Sequence, residues 1–272
     1  MDDSLSKSGT RTTHHLATAV LGLLLTACAT MQSTAPPEVR QALAPTGKLR
    51  VGVYPGSPFS MLRDAATGET IGMTVEVGKT LAARLGVPYE PVEYQRAGEI
   101  LAALKAGQID VTIANATSAR ANEYDWMPPL MLIELGYLVP PGSRISVFAD
   151  VDKPGVRVGV TQGGTTNREL AHELKNAKVV PAATLQGAIE MLAQGKIDTY
   201  ATNKANLFQM ADGLPGSRVL DGRWGLEHLS IAIPKGRDAG TAYMRKFVED
   251  IKSEGLVARS AAKAGLRGIA RE

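Results

Sequence analysis

The chain of 272 residues is 44% hydrophobic and 21% charged, a balance that fits one or two folded globular domains and excludes a disordered chain. Its formal net charge of +3 is unchanged when the first 27 residues, with two basic and two acidic groups, are set aside, and it is too small to point to nucleic acid. The single cysteine excludes an internal disulfide framework and a cysteine-based zinc site.

From the N-terminus, residues 16–27 form an uncharged run of 12, too short to cross a bilayer at about 20 residues per span, and they read as the apolar core of a signal peptide. The run ends in Leu25-Thr26-Ala27-Cys28, which resembles the lipobox of bacterial lipoproteins. The resemblance implies a lipoprotein signal peptide over 1–27 and a lipid on Cys28 that anchors the protein to a membrane; the other reading is an idle thiol. Residues 28–46, with Ala35-Pro36-Pro37 and small polar residues, suit a flexible tether, so folding is expected to begin near Gly47.

The body of the chain nearly repeats itself. Leu49-Arg50-Val51-Gly52-Val53 recurs 107 residues later as Val156-Arg157-Val158-Gly159-Val160, each a short strand before a glycine-containing loop. Residues 104–115 recur 88 positions later as 192–203: a helix end, a glycine (Gly107, Gly195), an Ile-Asp pair and a buried strand ending in Asn115 or Asn203. Helices are predicted over 75–85, 99–106, 167–174, 185–193 and 239–264, and a strand over 229–233. Alternation of helix and strand argues for α/β lobes with mainly parallel sheets, whose ligand sites lie at the carboxyl ends of strands. The chain is expected to cross between lobes near 138–140 and 230–232. Lobe 1 would then comprise 47–138 and 232–272, and lobe 2 would comprise 139–231.

These pieces together resemble the family 3 extracellular solute-binding proteins, the periplasmic receptors of polar amino-acid ABC importers. The similarity covers about residues 46–265. It rests on Arg50-Val51-Gly52-Val53 with Pro58-Phe59, Gly72-Met73-Thr74-Val75-Glu76-Val77, the Gly107-x-Ile109-Asp110 turn and Thr117-x-x-Arg120. Further along it rests on Val158-Gly159-Val160-x-x-Gly163, Gly195-Lys196-Ile197-Asp198 and Ile231-Ala232-Ile233-Pro234-Lys235-Gly236. The resemblance implies a type II periplasmic-binding-protein clamshell that shuts on a small ligand by hinge motion and docks on a permease.

It also implies that Arg120 grips a ligand carboxylate, for which a planar guanidinium fork is suited. A surface arginine paired with Glu123 is the alternative. Asn115 and Thr117 would stand beside it, or else cap the following turn. Gly163, Thr165 and Thr166 would present amides and hydroxyls at a helix start, or form an ordinary glycine turn with a threonine cap. Tyr54 would stack on the ligand, whereas Phe59, Trp126 and Tyr137 read as core. Asn203 departs from the family, which places an aspartate there to hold the ligand's ammonium; Glu76, Glu134 and Asp125 are the acids that could compensate.

The expectation is therefore a monomeric, lipid-anchored receptor at the periplasm or cell surface that binds a small carboxylate-bearing solute, an amino acid or a relative, for an ABC importer. It needs no cofactor and no metal, because no His/Cys/Asp cluster has ligand spacing. A ligand-sensing orphan receptor is one alternative. An enzyme resembling cyclohexadienyl dehydratase is another, set aside because Asn203 leaves that strand end without an acid and His172 and His228 have no nucleophile partner.

Overall fold

The computed structural model describes residues 35–270, so the leader and Cys28 lie outside the described residues. The first half contains α1 (Pro37–Leu43), β1 (Leu49–Val53), β2 (Leu62–Arg63), β3 (Thr70–Ile71), α2 (Met73–Leu85), β4 (Tyr89–Glu93), α3 (Ala97–Lys105), β5 (Thr112–Asn115) and β6 (Tyr124–Trp126). A long strand, β7 (Met131–Val139), leads to β8 (Arg157–Thr161), α4 (Thr165–Glu173), β9 (Lys178–Ala182), α5 (Leu185–Ala193), β10 (Thr199–Asn203), α6 (Lys204–Asp212) and β11 (Arg218–Val219). A second long strand, β12 (Gly225–Pro234), returns the chain to α7 (Asp238–Ser253) and α8 (Leu256–Lys263).

This is the two-lobe α/β clamshell expected from the sequence. The parallel pairs are β1 with β4 and β8 with both β9 and β10, whereas the long strands pair antiparallel. Strand β12 runs against β5 through Leu229–Ala232 and against β7 through Gly225–Leu229. Beyond that, β7 runs against β10 through Leu135–Leu138. The two long strands thus belong to the sheet of both halves. Apolar cores form on either side: one around Leu49, Leu81, Ile231 and Phe247, another around Val139, Val158 and Leu170.

The internal repeat has a physical cause. The Arg50 guanidinium donates to Asp110 from Nε at 2.9 Å and a terminal nitrogen at 2.8 Å, and the Arg50 backbone N–H donates to the same carboxylate at 3.0 Å. Arg157 holds Asp198 in the same three bonds at 2.9, 2.7 and 2.8 Å. Beside each clamp a glycine lets the preceding isoleucine in: a Cβ on Gly52 would lie 2.4 Å from Ile109 Cδ1, and one on Gly159 would lie 2.4 Å from Ile197 Cδ1. The turns that carry the two aspartates pass through Gly107 and Gly195, at φ +68° and +63°, where a side chain is strained.

Two expectations change. The tether does not extend to residue 46, because residues 37–43 form α1, with Pro37 preset for a first helical position and Val39 and Leu43 buried. This helix packs on α7, where the Arg237 guanidinium donates to the Leu43 carbonyl at 3.2 Å. The helix expected over 239–264 is two helices, because Gly255 takes a left-handed φ of 71° and turns the chain between α7 and α8.

The two clamps differ in burial: Asp110 is 0% exposed and also binds Arg237 at 3.0 Å, whereas Asp198 is 35% exposed. Asp110→Asn, which strands two part-buried guanidinium groups, should cost about 3–5 kcal/mol in urea unfolding, and Asp198→Asn about 1 kcal/mol. Equal losses would show that burial does not set the strength of the clamp.

Candidate functional site

A cavity of about 90 Å³ lies where the ends of β5, β8 and β10 converge on β12. Seven of the eight ligand residues expected from the sequence line it: Tyr54, Asn115, Arg120, Gly163, Thr165, Thr166 and Asn203. Thr117 does not. It precedes the short turn Ser118–Arg120 without capping it through its side chain, and its Oγ1 is buried without a partner. Gly164, not a threonine, caps α4, leaving Thr165 and Thr166 buried in the first turn.

Arg120 is held by its own strand. One terminal nitrogen donates to the Asn115 carbonyl at 3.1 Å, and its carbonyl accepts from the Trp126 indole at 3.4 Å. Burial, with the neighbouring positive Arg168, lowers the pKa of this guanidinium from its ordinary value, so an anion in the cavity relieves an electrostatic cost. The surface pairing with Glu123 is not formed: Glu123 binds Lys105 at 3.0 Å.

Two hydrogen bonds cross the site. Asn115 Nδ2 donates to Thr165 Oγ1 at 3.2 Å, and Ser57 Oγ donates to Asn206 Oδ1 at 2.8 Å. Tyr54 meets Phe59 edge to face at 5.7 Å, and burial pushes its phenol well above the usual range, so the ring enters the site as a neutral wall. Phe59 is buried in the core, as read from the sequence, and its ring also reaches the cavity.

The acid at this site is one that sequence reasoning missed. Glu76 pairs with Lys79 and Lys263, Glu134 with Lys204 and Arg223, and Asp125 with Lys235; none of the three lines the cavity. Glu227 does. It is 7% exposed on β12, and its Oε2 accepts from Asn203 Nδ2 at 2.8 Å. Asn203 Oδ1 in turn accepts from the Asn206 N–H at 3.0 Å and caps α6. Burial pushes the Glu227 carboxyl up to about 7, against the opposing pull of the Asn203 amide, Arg120 and the Thr165 hydroxyl. The strand end at Asn203 therefore does have an acid beside it, contrary to the ground on which catalysis was set aside. Period-two alternation carries the signal: Glu227 shares a strand face with Leu229, Ile231 and Ile233, all buried. Reading the strand from Leu229 stopped one alternation short.

Among the described residues no cluster of three metal-type side chains occurs, and no helix is long and apolar enough to cross a membrane. From the ordinary glutamate value of about 4.3 up to about 7, folded Glu227 holds a proton that the unfolded chain has lost. Its stabilisation is complete below that window and is lost as pH rises through it, at up to about 1.4 kcal/mol per pH unit. Glu227→Gln removes this slope, so in urea melts without ligand its stability relative to wild type should rise from about pH 4.5 to about pH 7.5. A constant difference would mean that the carboxyl titrates like an exposed one.

Comparison with known proteins adds to this geometry. The family model of the bacterial extracellular solute-binding proteins, family 3, matches residues 49–265. The ABC transporter glutamine-binding protein GlnH of Bacillus subtilis (strain 168) is 23% identical over 218 residues, 79% of this chain and 80% of that one. An ancestral amino acid-binding protein, a precursor of cyclohexadienyl dehydratase, is 25% identical with a TM-score of 0.69, covering 80% of this chain and 96% of that one. An amino acid ABC transporter substrate-binding protein from Streptococcus pneumoniae Canada MDR_19A, bound to L-arginine, shares the fold at 20% identity and a TM-score of 0.74, over 85% of this chain and 99% of that one.

Proposed function

The chain belongs to the bacterial extracellular solute-binding proteins of family 3, and from that premise we propose that it is the receptor of an ABC importer, taking a small carboxylate-bearing solute between its two lobes. The observation that carries this reading is Arg120, a half-buried guanidinium facing a cavity whose opposite wall is the start of α4. In this mechanism the ligand carboxylate takes two parallel hydrogen bonds from Arg120, which are stronger and more directional than neutral ones. Thr165, Thr166 and the amide groups that follow Gly163 then close over it from the other lobe. Strands β7 and β12 are the hinge, and contacts made with both lobes shift the population toward the shut form.

The ligand is bound and released without chemistry. Binding a carboxylate demands only Arg120 and hydroxyls, and the Asn203 amide, which donates to Glu227 Oε2 at 2.8 Å, keeps that carboxyl engaged within the protein. A thermal-shift screen of residues 29–272 against amino acids and their deaminated acids should find a ligand that raises the melting temperature. Arg120→Ala should weaken that ligand at least about 30-fold. Unchanged affinity would remove the carboxylate clamp, and conversion of added prephenate or arogenate would replace the receptor with an enzyme.

Membership of an extracellular family supports a location in the periplasm or at the cell surface. Cys28, in the lipobox-like Leu25-Thr26-Ala27-Cys28, is the residue we assign to lipid attachment. The full chain should fractionate with membranes, and Cys28→Ser should release it to the soluble fraction; membrane retention of that variant would exclude the anchor.

A further inference from the structure

The carboxylate clamp uses one charged group of the cavity and leaves the second unexplained. Glu227 is buried, lines the same cavity as Arg120 and accepts one hydrogen bond, from the Asn203 amide, which is not a cation. Arg120 and Glu169 act on it through space with opposite sign, and the Tyr54 phenol stays neutral beside it. A buried carboxylate is costly until a positive charge and further donors reach it. An ionised carboxylate offers about four lone-pair sites, so the single bond from Asn203 leaves room for the N–H groups of an ammonium.

We propose that Glu227 is the counter-ion for the ligand's α-ammonium, so that the cavity selects zwitterionic α-amino acids over amine-free carboxylates. This rests on the receptor reading above and names the ligand class. Asn203 then has a positioning role: its Oδ1 is committed to the α6 cap, which aims its Nδ2 at Glu227 Oε2. The acid enters from the crossing strand β12 and not from the end of β10, one hydrogen bond away.

Calorimetric titration with the twenty standard L-amino acids and, for each that binds, the same molecule with hydrogen in place of the α-ammonium tests this directly. Wild type should prefer the amino acid by at least about 30-fold. Glu227→Gln should lose about that factor for the amino acid while leaving the amine-free acid little changed. The exchanged pair Asn203→Asp with Glu227→Gln keeps a hydrogen bond between the two side chains and returns the charge, so it should restore the preference. This guards against a Glu227→Gln protein that merely folds poorly. Equal binding of both ligands by wild type, a preference that survives Glu227→Gln, or failure of the exchanged pair to restore it would overturn the assignment of Glu227 alone. Absence of any wild-type binding to amino acids or amine-free acids would overturn the receptor reading, and this assignment with it.

Discussion

Each half of the molecule is rooted in a bidentate arginine–aspartate clamp, and the site depends on where those clamps put the strands that follow. Arg50 and Asp110 tie β1 to the turn before β5, and Arg157 and Asp198 tie β8 to the turn before β10. Because guanidinium and carboxylate meet in one geometry, the distance along the chain from clamp to strand end is set the same way in both halves. Asn115 and Asn203, the repeat-related residues at those ends, then arrive together. Each grips β12: Asn115 Oδ1 accepts from the His228 N–H at 3.0 Å, and Asn203 Nδ2 donates to Glu227 at 2.8 Å. Two equivalent asparagines thus hold consecutive residues of one crossing strand.

That arrangement explains how a cavity between two similar halves becomes chemically asymmetric. The half containing β5 contributes a cation, because the short turn after Asn115 brings Arg120 back onto its own strand's carbonyl. The half containing β10 contributes uncharged donors, because Asn203 runs straight into α6 and is used as its cap. The acid comes from neither repeat. It stands on β12, where the strand passes from β7 to β5. A charge on a crossing strand is shared by both halves, so its position relative to Arg120 depends on β12 itself.

Much of this was legible in the sequence, for identifiable reasons. The repeated strand-glycine and glycine-Ile-Asp patterns are local consequences of the clamp and of close packing, so one sequence compared with itself exposes them. Seven of eight expected site residues meet in one cavity because they sit at strand ends and helix starts, places that α/β topology brings together. What was missed needed tertiary information. Pro36-Pro37 reads as a linker unless Val39 and Leu43 are known to have α7 to pack on. Glu76, Glu134 and Asp125 are satisfied by lysines and arginines, most of them remote in sequence, that no local pattern pairs with them. Glu227 lay in the alternation of β12 but next to the exposed His228, which breaks the run of apolar residues used to mark the strand.

Arg120 and Glu227 each make the other tolerable. Either one alone, in a cavity walled by Ile113, Leu229 and Phe59, would be a charge withdrawn in part or in full from water without compensation. Together they attract, yet they do not collapse onto one another: Arg120 is tied to the Asn115 carbonyl and Glu227 to the Asn203 amide. Two opposite charges held apart by separate tethers retain unused hydrogen-bonding capacity toward the space between them. A molecule with a carboxylate at one end and a cation a few bonds away satisfies both at once, whereas a singly charged ligand leaves one of them unpaired. The two tethers run to the repeat-related strands β5 and β10, so the spacing of the two charges is set by both halves of the molecule at once.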